Sequence, residues 1–419
     1  MAKNVVVLGA LDTKGTEFAY LRDRLLDLHV TPLMVDFGVQ AAPLFAPDLR
    51  AEDVAAAAGT TLAALRAQND RGVAMAAMAH GAAVVVRQLY ADGKLDGVIG
   101  MGGSSGSSVI ATAMRELPIG VPKLLVSTVA AGDTRPYVGA RDITLMPSVV
   151  DVSGINRISC AIIANAAGAI AGMVNVAHAN SAQDRPLIAA SMFGNTTPAV
   201  DRARAVLEQQ GYEVLVFHAT GTGGQLMESL IADGFFSGVL DMTTTEWADE
   251  ICGGVFSAGA ARLDAAAHHG VPQVVVPGCI DMANFGGRAT MPPEYAQRML
   301  YEWNSTVTLM RTTPEENAQM GTIFAEKLNQ ASAPVAVLIP LKGVSMLDSP
   351  GERFWNPEAD AAFVAALRAT LRPDIQIEEI DANINDPAFA ERAAAVLLAM
   401  LRPGLEDKKT RGQEDKKRR

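Results

Sequence analysis

The stretch LYADGKLDGVIGM, Leu89 to Met101, returns 141 positions later as LIADGFFSGVLDM, Leu230 to Met242, without a gap. Both copies keep Leu, Ala-Asp-Gly, Gly-Val and Met. A second pair lies downstream, GVPKLLVST from Gly120 and GVPQVVVPG from Gly270. Two halves built on one scaffold are therefore expected. The residues after the repeated strand have diverged, to GGSSGSS after Met101 and to TTTEWADE after Met242. Ligand chemistry is expected where the halves differ.

Working outward from the repeat, short apolar runs alternate with helical spacing. NVVVLG (4 to 9) precedes Phe18, Leu21, Leu25 and Leu28 at helical intervals; LMVD (33 to 36), GVIG (97 to 100) and KLLVS (123 to 127) continue the first half. The second half gives PLIAAS, EVLVF, GVLDM and QVVVP, with a helix expected near Ala258 to His269. Continuous rather than alternating apolar strands, each followed by an amphipathic helix, indicate a doubly wound parallel sheet covered on both faces. The fold class is α/β, with two Rossmann-like domains related by internal duplication. The polar stretch HANSAQDRP, His178 to Pro186, places the boundary near 180, giving domains 1–180 and 181–404 and a charged, disordered tail 405–419. The first half carries an insertion, 39–80, of the kind that caps a site or builds a subunit contact.

Composition narrows the class. A chain of 419 residues exceeds a usual single domain. Its net charge of −11 argues against a nucleic-acid surface, and its apolar segments are broken before the roughly 20 residues of a bilayer span. A cytoplasmic protein is expected. Three cysteines, Cys160, Cys252 and Cys279, lack the count and spacing of a disulfide framework or a zinc site, so no metal centre is expected.

In open parallel sheets ligands bind beyond the carboxyl ends of the strands. The first strand ends in GALDTKGTE, where Gly9 and Gly15 permit tight backbone, Lys14 supplies a cation, and Thr13 and Thr16 either bind phosphate or cap the helix. Asp36 closes the second strand 21 residues after Gly15, where a Rossmann-like fold puts an acid for ribose hydroxyls. GMGGSSGSS, Gly100 to Ser108, opens a helix directly after a strand and offers amides and hydroxyls to phosphate oxygens. Together these make a nucleotide phosphate the expected ligand of the first half. In the second half FGNTT, ATGTGG, TTTEWADE and CIDMANFG stand at strand ends, and Glu246 and Asp281 are candidates for a general base or magnesium ligand, with capping as the alternative.

These motifs also carry a resemblance. GALDTKG, GMGGSSGSS, DVSGINRIS from Asp151, PGCIDMANFG from Pro277, IPLKGVSMLD from Ile339 and INDPAFAE from Ile384 resemble the Tm-one-like ATP-binding domain family over nearly the whole chain, Lys3 to about Leu401. Its plant member is an antiviral resistance protein whose corresponding region binds ATP and blocks a viral replication protein; the TIM-barrel-like region next to it there has no counterpart in these 419 residues. The resemblance implies ATP binding, with magnesium accompanying the nucleotide, and a homodimer, and it leaves hydrolysis open. Joined to the strand-end rule, this puts the expected nucleotide against Leu11, Asp12, Thr13, Lys14, Gly15, Thr16 and Asp36, and against Gly102, Gly103, Ser104, Ser105, Gly106 and Thr128. Three readings are open: a metabolic enzyme using ATP-magnesium on a small molecule in an interdomain cleft, a non-catalytic nucleotide-responsive binding protein, and a sugar-nucleotide enzyme of two-Rossmann type.

Overall fold

A computed structural model describes residues 3–176 and 185–401. The chain divides into two compact units, Met1–Asn180 and Ser181–Arg419. The boundary expected near 180 and the tail 405–419 lie outside the described residues.

Unit one contains β1 (Lys3–Gly9), β2 (Val30–Asp36), β3 (Gly97–Gly102), β4 (Lys123–Ser127) and β5 (Thr144–Pro147), all parallel, in the order β2-β1-β3-β4-β5. The apolar runs of β1 and β3 are buried throughout their centres because helices cover both faces. On one face, the helices Gly15–Asp27 and Arg157–Asn175 bring Phe18, Leu21, Ile163 and Ile170 against Val5, Val7 and Ile99. On the other, Arg71–Ala91 and Ser104–Arg115 bring Met78, Val86, Ile110 and Met114 against Val6, Leu8 and Val98. The insertion 39–80 contributes the short helices Ala51–Ala57 and Leu62–Gln68 to this second layer. A side chain at Gly81 would strike the Val54 carbonyl at 2.0 Å, so the long helix approaches the insertion through that glycine.

The strand order is informative. A parallel sheet of order 2-1-3-4-5 reverses its winding between β1 and β3, and the two connections leave a crevice beyond the carboxyl ends of those strands. The loops there are GALDTKG and GMGGSS.

Unit two has β6 (Leu187–Met192), β7 (Glu213–His218), β8 (Phe236–Asp241) and β9 (Gln273–Val275), then an antiparallel sheet of β10 (Met282–Phe285), β11 (Leu300–Asn304) and β12 (Val307–Arg311), and finally β13 (Val335–Pro340) and β14 (Gln376–Ile380). Its main sheet is parallel, in the order β14-β13-β9-β8-β6-β7. Counted within the unit, this is again 2-1-3-4-5 with a sixth strand, as a duplication requires.

Two expectations change. The helix anticipated near Ala258 to His269 is only Ala265–His268. Leu263 has a φ of 77°, and Arg262 turns inward to buried carboxylates, which breaks the Ala-rich run. Two helices, Arg71–Ala91 and Arg157–Asn175, are long and apolar enough to cross a bilayer, contrary to the reading of the apolar segments. In the structure both lie on the parallel sheet with one face buried.

Candidate functional site

The crevice at the β1/β3 switch point is a cleft of about 710 Å³. It is lined by Ala10, Asp12, Thr13 and Lys14 after β1, by Met101 to Gly106 at the end of β3 and the turn beyond it, by Phe37 to Gln40 after β2, and by residues of the insertion. The volume suits a drug-sized or nucleotide-sized ligand.

The helix Ser104–Arg115 starts in the cleft without a side-chain cap. Its N-cap is Gly103, whose carbonyl accepts the first helical bond from Ser107 N at 2.8 Å. The amides of the first turn therefore have no intrahelical acceptor, and the helix dipole adds partial positive charge there. Glycines let a ligand approach. A Cβ at Gly102 would lie 3.1 Å from Gly106 Cα and Ser107 N, and one at Gly103 meets nothing nearer than Thr128 Oγ1 at 3.8 Å. Beneath the turn, Ser107 Oγ and Ser127 Oγ are 2.6 Å apart and Ser107 Oγ donates to the Gly102 carbonyl, fixing the loop to β4.

Lys14, half-buried, precedes the helix Gly15–Asp27, and Arg71 begins the helix Arg71–Ala91. Neither forms an ion pair among the described residues, whereas Arg66, the third cation of the lining, is committed to the Val39 and Ala41 carbonyls at 2.5 and 3.3 Å. Asp12 Oδ2 accepts from Gln40 N at 2.8 Å and Ala41 N at 3.3 Å. The 39–41 loop is thus tied from both sides. Asp12 Oδ1 is buried without a hydrogen-bond partner, an acceptor beside the cleft that lacks a donor.

The residues nominated from sequence separate into two groups. Asp12, Thr13, Lys14, Gly102, Gly103, Ser104, Ser105 and Gly106 meet in the cleft. Leu11, Gly15, Thr16, Asp36 and Thr128 are not part of its lining. The Leu11 side chain belongs to the core, Gly15 faces Leu44 of the insertion, Thr16 points to solvent, and Thr128 is exposed beside Gly103. Asp36 is the instructive correction. It is 2 % exposed, and its Oδ1 accepts from Leu11 N at 2.9 Å and Gly38 N at 2.8 Å. Burial raises its pKa while those amides lower it, so the carboxylate braces two loops rather than facing a sugar.

In unit two the corresponding crevice is closed by the chain's own groups. Arg262, 1 % exposed, donates to Asp241 through Nη1 and Nη2 at 2.6 Å each, to Glu246 Oε2 at 2.7 Å and to Glu228 Oε1 at 3.1 Å. Glu246 Oε1 also accepts from Gly221 N at 2.7 Å and Gly224 N at 3.1 Å. The ATGTGG turn therefore already holds an internal carboxylate. Continuing the register of the repeat, Glu246 occupies the place of Ser105 in unit one. Burial raises the pKa of the Glu246 carboxyl against the pull of Arg262; held by Arg262 and two loop amides, it is a structural group rather than a free base.

Asp281 is fully buried, with Oδ2 accepting from Ser345 Oγ at 2.8 Å. Burial, then the neighbouring Asp348, push its pKa up to about 7 against the pull of Arg311. Arg311 itself pairs with Asp360 at 3.0 Å and Asp348 at 3.4 Å. Cys279 is buried at a φ of 58° and its thiol is pushed far up by burial, which suits packing rather than nucleophilic work. Among the described residues no group of three or more His, Cys, Asp and Glu could hold a metal ion.

Sequence reasoning missed Arg71, Arg66 and Arg262, because a lone arginine carries no motif. The signal for Arg71 was available in Asn69-Asp70-Arg71: Asp70 Oδ1 accepts from Val73 N at 3.0 Å, an N-cap that starts the helix at Arg71.

Fold and cleft together define a duplicated, Rossmann-like α/β protein whose first half presents a cleft at its sheet's switch point. The chain belongs to the Uncharacterised protein family (UPF0261), whose N-terminal domain matches residues 3–179 and whose C-terminal domain matches residues 185–401. It is similar to a UPF0261 protein of Clostridium tetani, 48 % identical over 96 % of this chain and 100 % of that one. It is also similar to the ToMV resistance protein Tm-1(GCR237) of Solanum lycopersicum, 44 % identical over 76 % of this chain and 43 % of the tomato protein, in keeping with the Tm-one-like resemblance. A solved structure of Methanocaldococcus jannaschii UDP-GlcNAc 2-epimerase matches at 9 % identity over 65 % of this chain and 83 % of that one, with a TM-score of 0.22, too low to bear on the chemistry.

Proposed function

We propose that the chain is a nucleotide-binding protein that holds ATP, as its magnesium complex, in the β1/β3 cleft of unit one. The observation that carries this reading is the uncapped start of the helix Ser104–Arg115 in a cleft also lined by two cations, Lys14 and Arg71, that have no carboxylate partner among the described residues. Unpaired cations beside free amides favour a polyanion, and phosphate oxygens satisfy both. Phe37, Val39, Leu65 and Met75 offer an apolar wall for a base. Asp12 Oδ1 fits a hydroxyl or a magnesium-bound water as the missing donor. The family resemblance points to the same ligand.

Bound ATP would supply a transferable phosphoryl group; the chain's own residues bind and orient it. Lys14 and the Ser104 to Gly106 amides would neutralise the phosphates, and the tied 39–41 loop would shield them from water. Between an enzyme and a nucleotide-responsive binding protein, one observation favours the second: Glu246 and Asp281, the nominated bases, are buried and engaged internally. Calorimetric titration of the full chain with ATP and magnesium tests the binding, and ADP release on adding small carboxylic acids tests turnover. Absence of ATP binding at millimolar nucleotide would end the proposal.

A further inference from the structure

The insertion 39–80 does more than cover the cleft. Its last element opens with Arg71, an exposed residue whose Nη2 reaches Ser105 Oγ at 3.5 Å, at the long limit of a hydrogen bond. Asp70, next to it, is committed to capping its own helix through Val73 N and forms no ion pair with Arg71. The guanidinium therefore stands over the uncapped turn of the neighbouring helix with one weak contact. Lys14, from the β1 loop, lines the same cleft. Arg66 is less available than either, since its Nε and Nη2 already donate to carbonyls of the 39–41 loop.

Two cations from separate segments, lining one cleft with a row of amides, match an extended chain of phosphates better than a single one. Both line the cleft, but Lys14 is half-buried whereas Arg71 is exposed, which sets Arg71 nearer the solvent end of a bound chain. The planar guanidinium offers paired N–H groups that fit two oxygens of a terminal phosphate, a geometry lysine lacks. Its hydroxyl contact is weak enough to be exchanged for a charge-assisted one at little cost.

We propose that Arg71 is the specificity-determining residue that reads the terminal phosphate, making the site selective for nucleoside triphosphates over di- and monophosphates. The inference rests on the ATP reading of the cleft. It assigns the insertion a function in ligand choice: removing the phosphate that Arg71 meets removes the reason for the wall to carry a cation there.

The test compares ATP, ADP and AMP, each with magnesium, titrated calorimetrically into the full chain and into Arg71→Gln, Arg71→Lys and Lys14→Ala. Arg71 is exposed at a helix start, and thermal melts confirm that each variant is folded. The expected result is that Arg71→Gln weakens ATP on the order of tenfold or more while ADP and AMP move by less than about twofold. Arg71→Lys should restore part of the preference, because charge returns without the fork. Lys14→Ala should weaken all the phosphorylated ligands it contacts and leave their order unchanged. A parallel loss for all three nucleotides in Arg71→Gln, or an unchanged ATP to ADP ratio, overturns the inference while leaving ATP binding intact. Failure of the unmutated chain to bind any of the three overturns both.

Discussion

Ser105→Glu should destroy nucleotide binding while making the protein more stable, two effects of opposite sign from one substitution. Position 105 lies in the first turn of the helix Ser104–Arg115, which has no side-chain cap and lines one cleft with Lys14 and Arg71. A carboxylate in the first turn of a helix stabilises by about 0.3 to 1 kcal/mol when exposed and up to about 2 kcal/mol when partly buried. Ser105 is half-buried, and two unpaired cations lie nearby, so a gain of about 1 kcal/mol is expected. The same carboxylate would meet an incoming phosphate at close range. Two like charges about 4 Å apart repel by about 4 kcal/mol at the effective dielectric of a protein surface. Even after Lys14 and Arg71 offset half of it, affinity should fall on the order of 30-fold or more. In unit two Glu246 stands at the corresponding place of the repeat, where its carboxylate is held by Gly221 and Gly224 of another turn and by Arg262. Calorimetry reads the affinity and a urea titration the stability. ATP affinity within about twofold of the parent, or a clear loss of stability, would refute the reasoning.

Other expectations rest on the same contacts. Lys14→Ala should weaken ATP binding by about 1 to 3 kcal/mol, the scale of a charge-assisted hydrogen bond, as read by competition with a fluorescent nucleotide. Arg262→Met leaves Asp241, Glu246 and Glu228 buried without their cation, and should cost about 3 to 5 kcal/mol in urea unfolding; a loss below about 1 kcal/mol would mean the carboxylates find other partners. Asp281, with an ordinary value of 3.8 in the unfolded chain and about 7 when folded, keeps a proton in the native state that the unfolded chain has released. Its contribution to stability therefore falls as pH rises from about 4 to about 7 and is flat above. Asp281→Asn should make that decline shallower when urea midpoints are compared at about pH 5 and about pH 8, and an identical pH slope would rule Asp281 out as its source.

Much of the fold was legible because its strands are continuous apolar runs. NVVVLG, GVIG and KLLVS became β1, β3 and β4, and the repeated 13-residue segment marked the shared third strand of each unit. The antiparallel sheet β10-β12-β11 was not legible: residues 282–311 carry no regular alternation, and their pairing is made over distance by the register of Met282 on Arg311 and Leu300 on Met310. The Ala-rich run after Ala258 read as a helix because local propensity ignores Arg262, whose burial among three carboxylates dictates the backbone there. At the site, the Gly/Ser turn and Lys14 were readable, being local strand-to-helix chemistry. Asp36 was placed by spacing, yet spacing does not reveal that Leu11 and Gly38 amides claim its carboxylate. Arg71 arrives in the cleft through the packing of the insertion on the long helix, a tertiary event no local pattern encodes.

The most direct measurement is a crystal structure of the full chain grown with ATP and magnesium. Phosphate density against the amides of Ser104, Ser105 and Gly106, bracketed by Lys14 and Arg71, is the result expected. A nucleotide bound outside the β1/β3 cleft of unit one, or phosphates turned away from that helix start, would contradict the account.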